Sequence, residues 1–150
     1  MGNIVIEKEI NAPVDRVYEQ MINLDNWSDS IEGITNVEKH TEGPVRDGTE
    51  FSETRVMFGK EHTERMTFTN VRPNQGYTLV CNSCGMHYES AHSLTPMGDR
   101  TMLRMEMSAK PLTFASKIIS PITGVMMKGT MKKMINKDFD DLARACESAG

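Results

Sequence analysis

The stretch MKKMINKDFDDLARACE, residues 131–147, sets the terms for reading the rest of the chain. Its apolar members Met131, Met134, Ile135, Phe139, Leu142 and Cys146 recur every three or four residues, the spacing that gathers side chains on one face of a helix. Met127 extends the stripe one turn upstream. Lys128, Lys132, Lys133, Lys137, Asp140, Asp141 and Arg144 fall mainly off it. One amphipathic helix of several turns is expected, at least from about Gly124 to Glu147, laid on something apolar. Upstream, Ser120-Pro121 suits an N-cap followed by a proline in the first turn. The alternative is an earlier helical turn from Thr113 that kinks at Pro121.

Strands supply the surface for that helix. Ile4 to Ile10 alternates, with Ile4, Ile6 and Ile10 on one parity and Glu7 and Glu9 on the other, as in a strand with one wet face. Asn11 or Ala12 then falls at a helix cap, with Pro13 in the first turn. Val14, Val17, Tyr18, Met21 and Ile22 follow at helical spacing up to Asn23, and Leu24 to Ser30 around Trp27 reads as a second short helix or turn. Six strands are expected next: Ile34–His40, Thr49–Phe58, His62–Val71, Tyr77–Asn82, Met86–Leu94 and Thr101–Ser108. Glycine- and proline-rich turns separate them, so consecutive antiparallel pairing follows. No repeat or linker divides the 150 residues, and one domain is expected over residues 1–150.

Composition narrows the function. A net charge of −4 leaves no basic footprint for nucleic acid. No apolar run is long enough to span a membrane and no N-terminal stretch has the pattern of a signal peptide, so the expected location is the cytoplasm. Three cysteines do not make a secreted disulfide framework. Thirteen methionines are the unusual feature, since unbranched thioether side chains suit adaptable apolar walls as well as core filling.

The element order, one strand, two short helices, a strand meander and a long last helix, is that of a helix-grip fold. Ile10-Asn11-Ala12-Pro13-Val14-Asp15-Arg16-Val17-Tyr18 resembles the opening of the START-like or SRPBCC superfamily, in which an Ala-Pro step leads from strand to helix. Leu24-Asp25-Asn26-Trp27 resembles its second-helix step, and Gly98-Asp99-Arg100-Thr101 resembles the turn before its last strand. The resemblance covers essentially the whole chain. It implies an α+β fold with a curved antiparallel sheet of about seven strands wrapped around the C-terminal helix, and a cavity between them. Relatives of this kind include polyketide cyclases and aromatases and steroid and lipid carriers, so the resemblance does not by itself imply a reaction.

Strand parity nominates the cavity lining. Phe51 and Met57 share a parity with Glu53 and Arg55; Met66 and Phe68 with His62 and Glu64; Met86 and Leu94 with Tyr88, Ser90 and His92; Leu103, Met105 and Met107 with Thr101. The candidate ligand-binding residues are Phe51, Arg55, Met57, His62, Met66, Phe68, Tyr88, His92, Met105, Met127 and Met131. Arg55 or His62 would hold a polar head group, and His92 and Tyr88 would orient a ligand or move protons. The competing assignment puts the charged residues on a solvated rim. Buried charge needs a partner, and Arg55 with Glu64 across their hairpin is the expected pair. No nucleophile–base–orienter set is visible, so no catalytic residue is named.

Cys81, Cys84 and His87 have a metal-like spacing but lack a fourth ligand and a second motif, so no zinc and no cofactor are expected. Gly124 and Gly129 in the last helix suggest close approach of another group, or simply a tolerated cost. The leading expectation is binding of a hydrophobic or amphipathic small molecule: a lipid, a polyketide-like ring system or an aromatic metabolite. An enzyme of polyketide cyclase, aromatase or dehydratase type is the alternative. A third is an interaction protein whose Met-rich helix is a partner surface. The oligomeric state stays open, a homodimer included.

Overall fold

The computed structural model describes residues 4–57, 59–83, 85–111 and 121–148. Strand β1 (Ile4–Ile10) leads into helix α1 (Val14–Ile22), a single 3-10 turn (Leu24–Asn26) and helix α2 (Trp27–Ser30). Six strands follow: β2 (Ile34–Lys39), β3 (Glu50–Met57), β4 (Lys60–Arg72), β5 (Gly76–Ser83), β6 (Met86–Met97) and β7 (Arg100–Pro111). Helix α3 (Pro121–Ser148) comes last. The earlier turn considered from Thr113, and Ser120 as a cap, lie outside the described residues.

All seven strands join one curved antiparallel sheet in the order β1-β7-β6-β5-β4-β3-β2. Consecutive hairpins build β2 to β7, and β1 adds to the far edge against β7, with Ile6 opposite Met105. Helices α1 and α2 therefore carry the chain from one sheet edge to the other. This is the helix-grip architecture. Two irregularities interrupt the ladders, between Ile34 and Asn36 in β2 and between Thr69 and Arg72 in β4. In the second, Asn70 adopts a φ of 51° and the Asp47 carboxylate accepts the Val71 N–H at 2.7 Å. Such bulges increase twist and bend a sheet, as wrapping a helix requires.

Two expectations need adjustment here. Pro13 is the cap of α1 rather than part of its first turn. Its extended ψ of 156° lets its carbonyl accept the Val17 N–H at 3.1 Å, the first bond of the helix. Strands β6 and β7 run past the expected Leu94 and Ser108, because each supplies the other's backbone partners from Met97–Arg100 to Met86–Pro111 whatever the side chains.

Helix α3 buries Ile135, Phe139, Leu142, Ala143 and Cys146 against Ile4, Ile6 and Ile10 of β1, Val17, Tyr18 and Met21 of α1, and Leu103 and Met105 of β7. Polar ties hold its flank: Lys8 to Asp140 at 2.6 Å, and the Asn11 N–H to Glu147 at 3.0 Å. Asp141, expected off the apolar stripe, is 2% exposed. Its carboxylate accepts the Glu32 N–H at 3.1 Å and ion-pairs with Lys137 and Arg144. Burial raises its pKa, but Lys137 and these other donors outweigh burial and hold it below the usual carboxylate value. It anchors the helix to the segment after α2.

Two glycines have opposite meanings. Gly76 opens β5 at a φ of 142°, and a Cβ built on it would lie 2.0 Å from the His92 carbonyl oxygen. Only a residue without a side chain lets β5 approach β6 this closely. Gly129, by contrast, has nothing near it among the described residues, so none of them accounts for its presence in α3; the side chains next to Gly124 lie outside the described residues. Gly76→Ala should lower the unfolding free energy by about 2 kcal/mol or more. Gly129→Ala should raise it by up to about 1 kcal/mol. Paired urea denaturation curves read both signs.

Candidate functional site

A cavity of about 410 Å³ lies between the concave sheet face and α3. Its walls come from every layer of the fold: Met21 of α1, Trp27 of α2, Ile34 of β2, inward residues of β3 to β7, and Met131, Met134, Ile135, Asp138, Phe139 and Leu142 of α3. The ladder registers explain why these strands converge. Tyr77 stands opposite His92 and His92 opposite Met105; Leu79 opposite Ser90 and Ser90 opposite Met107; Met66 opposite Cys81 and Cys81 opposite Tyr88. Each row crosses the sheet on the helix side.

Of the nominated residues, Arg55, His62, Met66, Tyr88, His92, Met105 and Met131 line this cavity. Phe51 and Phe68 have the right parity but are packed away from the lining, both 0% exposed. Trp27 meets Phe51 edge-on at 5.3 Å between ring centroids, Phe51 meets Phe68 at 5.4 Å, and Phe68 meets Tyr77 at 4.9 Å. This aromatic chain continues through His92 to Phe139. The side chains of Met57 and Met127 lie outside the described residues. Exposure rises along β3 and β4 from Phe51 towards His62, which is exposed.

The sequence pattern missed several wall groups, Asp138, Trp27 and the inward residues Tyr77, Leu79 and Cys81 of β5 among them. Asp138 falls three residues after Ile135 and four before Leu142, so it shares their helix face; its charge concealed it. Tyr77 and Trp27 could have been found from parity and from the α2 turn, but nothing in the sequence says that their rings border open space.

Arg55 organises the polar side. The residue opposite it on β4 is His62, whereas Glu64 stands opposite Glu53, so the expected Arg55–Glu64 pair is not in register. Its close partners are Glu53 on its own strand, at 2.5 Å, and Asp138 of α3, at 2.9 Å. Nε and Nη2 both donate to the same Glu53 oxygen, and Nη1 and Nη2 donate to the two oxygens of Asp138. Residues two apart on a strand share a face, and the bifurcated fork closes the gap between them. Gly33 makes room: a Cβ there would lie 3.3 Å from Nη1 of Arg55. Burial works against the Arg55 charge, but the Glu53 and Asp138 carboxylates more than compensate and raise its pKa. For Asp138 burial wins, and its pKa stands above the usual carboxylate value despite Arg55.

His92 is the other group whose titration is altered. Its Nδ1 lies 3.0 Å from the Ser90 carbonyl oxygen. Burial lowers its pKa to about 4, against the backbone carbonyls of Ser90 and Tyr77, so the ring is uncharged at neutral pH. The Tyr77 phenol is pushed well above its ordinary value, first by burial and then by Tyr18 and Glu53. Cys81 faces the cavity and donates its thiol to Glu64 at 3.7 Å. His87 stands opposite Asn82, one residue out of phase with Cys81 and so on the other sheet face; Cys84 lies outside the described residues.

Two consequences can be measured. Arg55→Met leaves two carboxylates facing each other in the cavity wall and should cost about 3 kcal/mol at pH 7. Burial already holds the Asp138 pKa above the usual carboxylate value, and removing the Arg55 charge that opposes burial raises it further, so the folded variant binds the extra proton. The deficit should shrink between pH 7 and pH 4.5 in urea titrations. For His92, a folded pKa below the unfolded one means that its contribution is complete above about pH 6.5 and is lost as pH falls towards 4. The parent should therefore lose stability over that interval relative to His92→Asn, whose amide can keep the Ser90 bond.

Comparison with known proteins agrees with this geometry. The family model described as polyketide cyclase / dehydrase and lipid transport matches residues 1–147. No curated protein matches the sequence. Among solved structures, a START superfamily protein from Mycobacterium smegmatis aligns with a TM-score of 0.80 at 14% identity, covering 99% of both chains. The Zhui aromatase/cyclase from a Streptomyces species aligns at 0.77 and 12% identity, over 97% of this chain and 93% of that one. A conserved protein from Geobacillus kaustophilus aligns at 0.77 and 18% identity, over 99% and 97%. At these identities the structures establish the shared fold, while the match over nearly all of the sequence establishes the family. The match over residues 1–147, on a chain that folds as a helix-grip sheet closed over a cavity, makes this chain a member of the polyketide cyclase / dehydrase and lipid transport family.

Proposed function

We propose that the whole chain acts as one ligand-binding domain, and that it holds a hydrophobic or amphipathic small molecule in the cavity between the sheet and α3. The observation that carries this reading is the character of the cavity wall. Its volume of about 410 Å³ falls in the range of small-molecule pockets, and methionines, aromatic rings and branched aliphatics make up most of its lining. Met21, Met66, Met105, Met107, Met131 and Met134 all contribute. Thioether chains repack around differently shaped guests. Burial of apolar ligand surface gains roughly 25 cal/mol per Å², or about 5 kcal/mol for about 200 Å².

A cyclase or dehydratase is the second reading, and His92 is the observation that favours it. A cavity-lining imidazole kept uncharged at neutral pH is able to accept a proton from a bound molecule. It would show as a ligand recovered cyclised or dehydrated from the parent and unchanged from His92→Asn, by mass spectrometry.

Binding itself is tested with an environment-sensitive apolar dye. The native protein should bind it with a saturable rise in emission. Met66→Trp, which puts a bulkier group into the cavity from a half-buried position, should weaken binding at least tenfold while unfolding stays cooperative. Equal dye affinity in parent and variant would place the dye elsewhere and reject this lining.

A further inference from the structure

Tyr77 carries a polar group that the fold does not use. Its ring continues the chain that runs from Trp27 through Phe51 and Phe68, and a phenylalanine ring would fill that place as well. What a phenylalanine would lack is the hydroxyl. Tyr77 is 5% exposed, and none of the described residues pairs with its phenol oxygen. A buried tyrosine hydroxyl ordinarily has a partner. No described side-chain oxygen or nitrogen is both unpaired and shut off from open space. The Tyr77 hydroxyl therefore opens on to the cavity that its ring borders. Burial, with Tyr18 and Glu53 nearby, keeps it protonated and so a donor.

His92 stands opposite Tyr77 on β6, with the two ring centroids 4.8 Å apart. The Ser90 carbonyl, 3.0 Å from Nδ1, can only accept, so the single proton of the uncharged ring sits on Nδ1. Nε2, at the far end of a ring that also lines the cavity, is then an acceptor. A donor and an acceptor thus stand side by side in a mostly apolar wall.

We infer that the cavity, on the reading that it is the ligand site, selects an apolar or aromatic molecule by a neutral hydroxyl, which accepts a hydrogen bond from the Tyr77 phenol and donates one to Nε2 of His92. A hydroxyl is donor and acceptor at once and satisfies both wall groups. An ether or a ketone takes only the Tyr77 bond, and a hydrocarbon leaves both groups unpaired. A buried donor or acceptor left unpaired carries its full desolvation cost, so such a site discriminates mainly by rejecting guests that lack the group.

The test uses three probes with one apolar body: 4-butylphenol, 4-butylanisole and butylbenzene, titrated calorimetrically at pH 7. The phenol should bind at least tenfold more tightly than the hydrocarbon, with the ether between them. Tyr77→Phe should reduce the phenol-to-hydrocarbon affinity ratio at least threefold. It should leave the urea unfolding midpoint where it is, because the hydroxyl has no partner among the described residues. His92→Phe, which keeps a ring but no acceptor, should narrow the gap between phenol and ether at least twofold. Equal affinities for phenol and hydrocarbon, a ratio untouched by Tyr77→Phe, or a phenol–ether gap untouched by His92→Phe would overturn the inference while leaving the cavity as a binding site. A lowered unfolding midpoint in Tyr77→Phe would overturn it too, since the hydroxyl would then serve the fold. The dye binding while none of the three probes does would overturn it in the same way. Failure of the dye and of all three probes would overturn the binding reading beneath it.

Discussion

One helix has to cover a sheet much wider than itself. Seven strands spaced about 4.8 Å apart span roughly 29 Å, whereas a helix with its side chains is about 10–12 Å across. Curling the sheet reduces the mismatch, and the bulges in β2 and β4 contribute to the curl. Helices α1 and α2 fill one end, where Trp27, Phe51, Phe68 and Tyr77 form a continuous aromatic floor. The space left over is the cavity. It follows from the geometry of the layers, and the size of the side chains decides only how much of it stays open.

The same mismatch makes the last helix dependent on anchors at its flanks. Its apolar stripe can touch only part of the concave face, so polar ties fix where it lies. Asp141 holds the segment after α2, Lys8 and Asn11 hold the side near β1, and Arg55 reaches across the opening from β3 to Asp138. The last of these ties is part of the cavity wall. Residues that hold α3 in place therefore also line the space beneath it.

Much of this was legible before the fold was known, and the limits have physical causes. A two-residue period identifies which strand residues share a face, and Arg55, His62, Met66, Tyr88, His92 and Met105, which it grouped, all line the one cavity. It carries no information on how far along a strand the cavity extends, so Phe51 and Phe68 were grouped with them although aromatic neighbours close over both. A helical period identifies a stripe from its apolar members and is blind to a charged residue on the same face. Asp138 and Asp141 both escaped it for that reason, one turning to the cavity and the other to a buried ion-pair cluster. Charge pairing was the least legible feature. Register decides it, and a hairpin shifted by one residue pair puts Glu64 opposite Glu53 and His62 opposite Arg55.

What the sequence determined by itself was the class of elements, their order and the faces they bury, because backbone periodicity and turn residues act over a few positions along the chain. The Ala-Pro step, the strand meander and the Met-rich stripe were enough for the helix-grip fold and its family. Tertiary structure alone decided which side chains surround empty space, and that Arg55 is saturated by two carboxylates while a third stands opposite one of them. Those are consequences of strand register and of the seating of α3, which bring together residues as distant in the chain as Arg55 and Asp138. Electrostatic coupling falls with distance in space, and no local pattern in the chain encodes that distance.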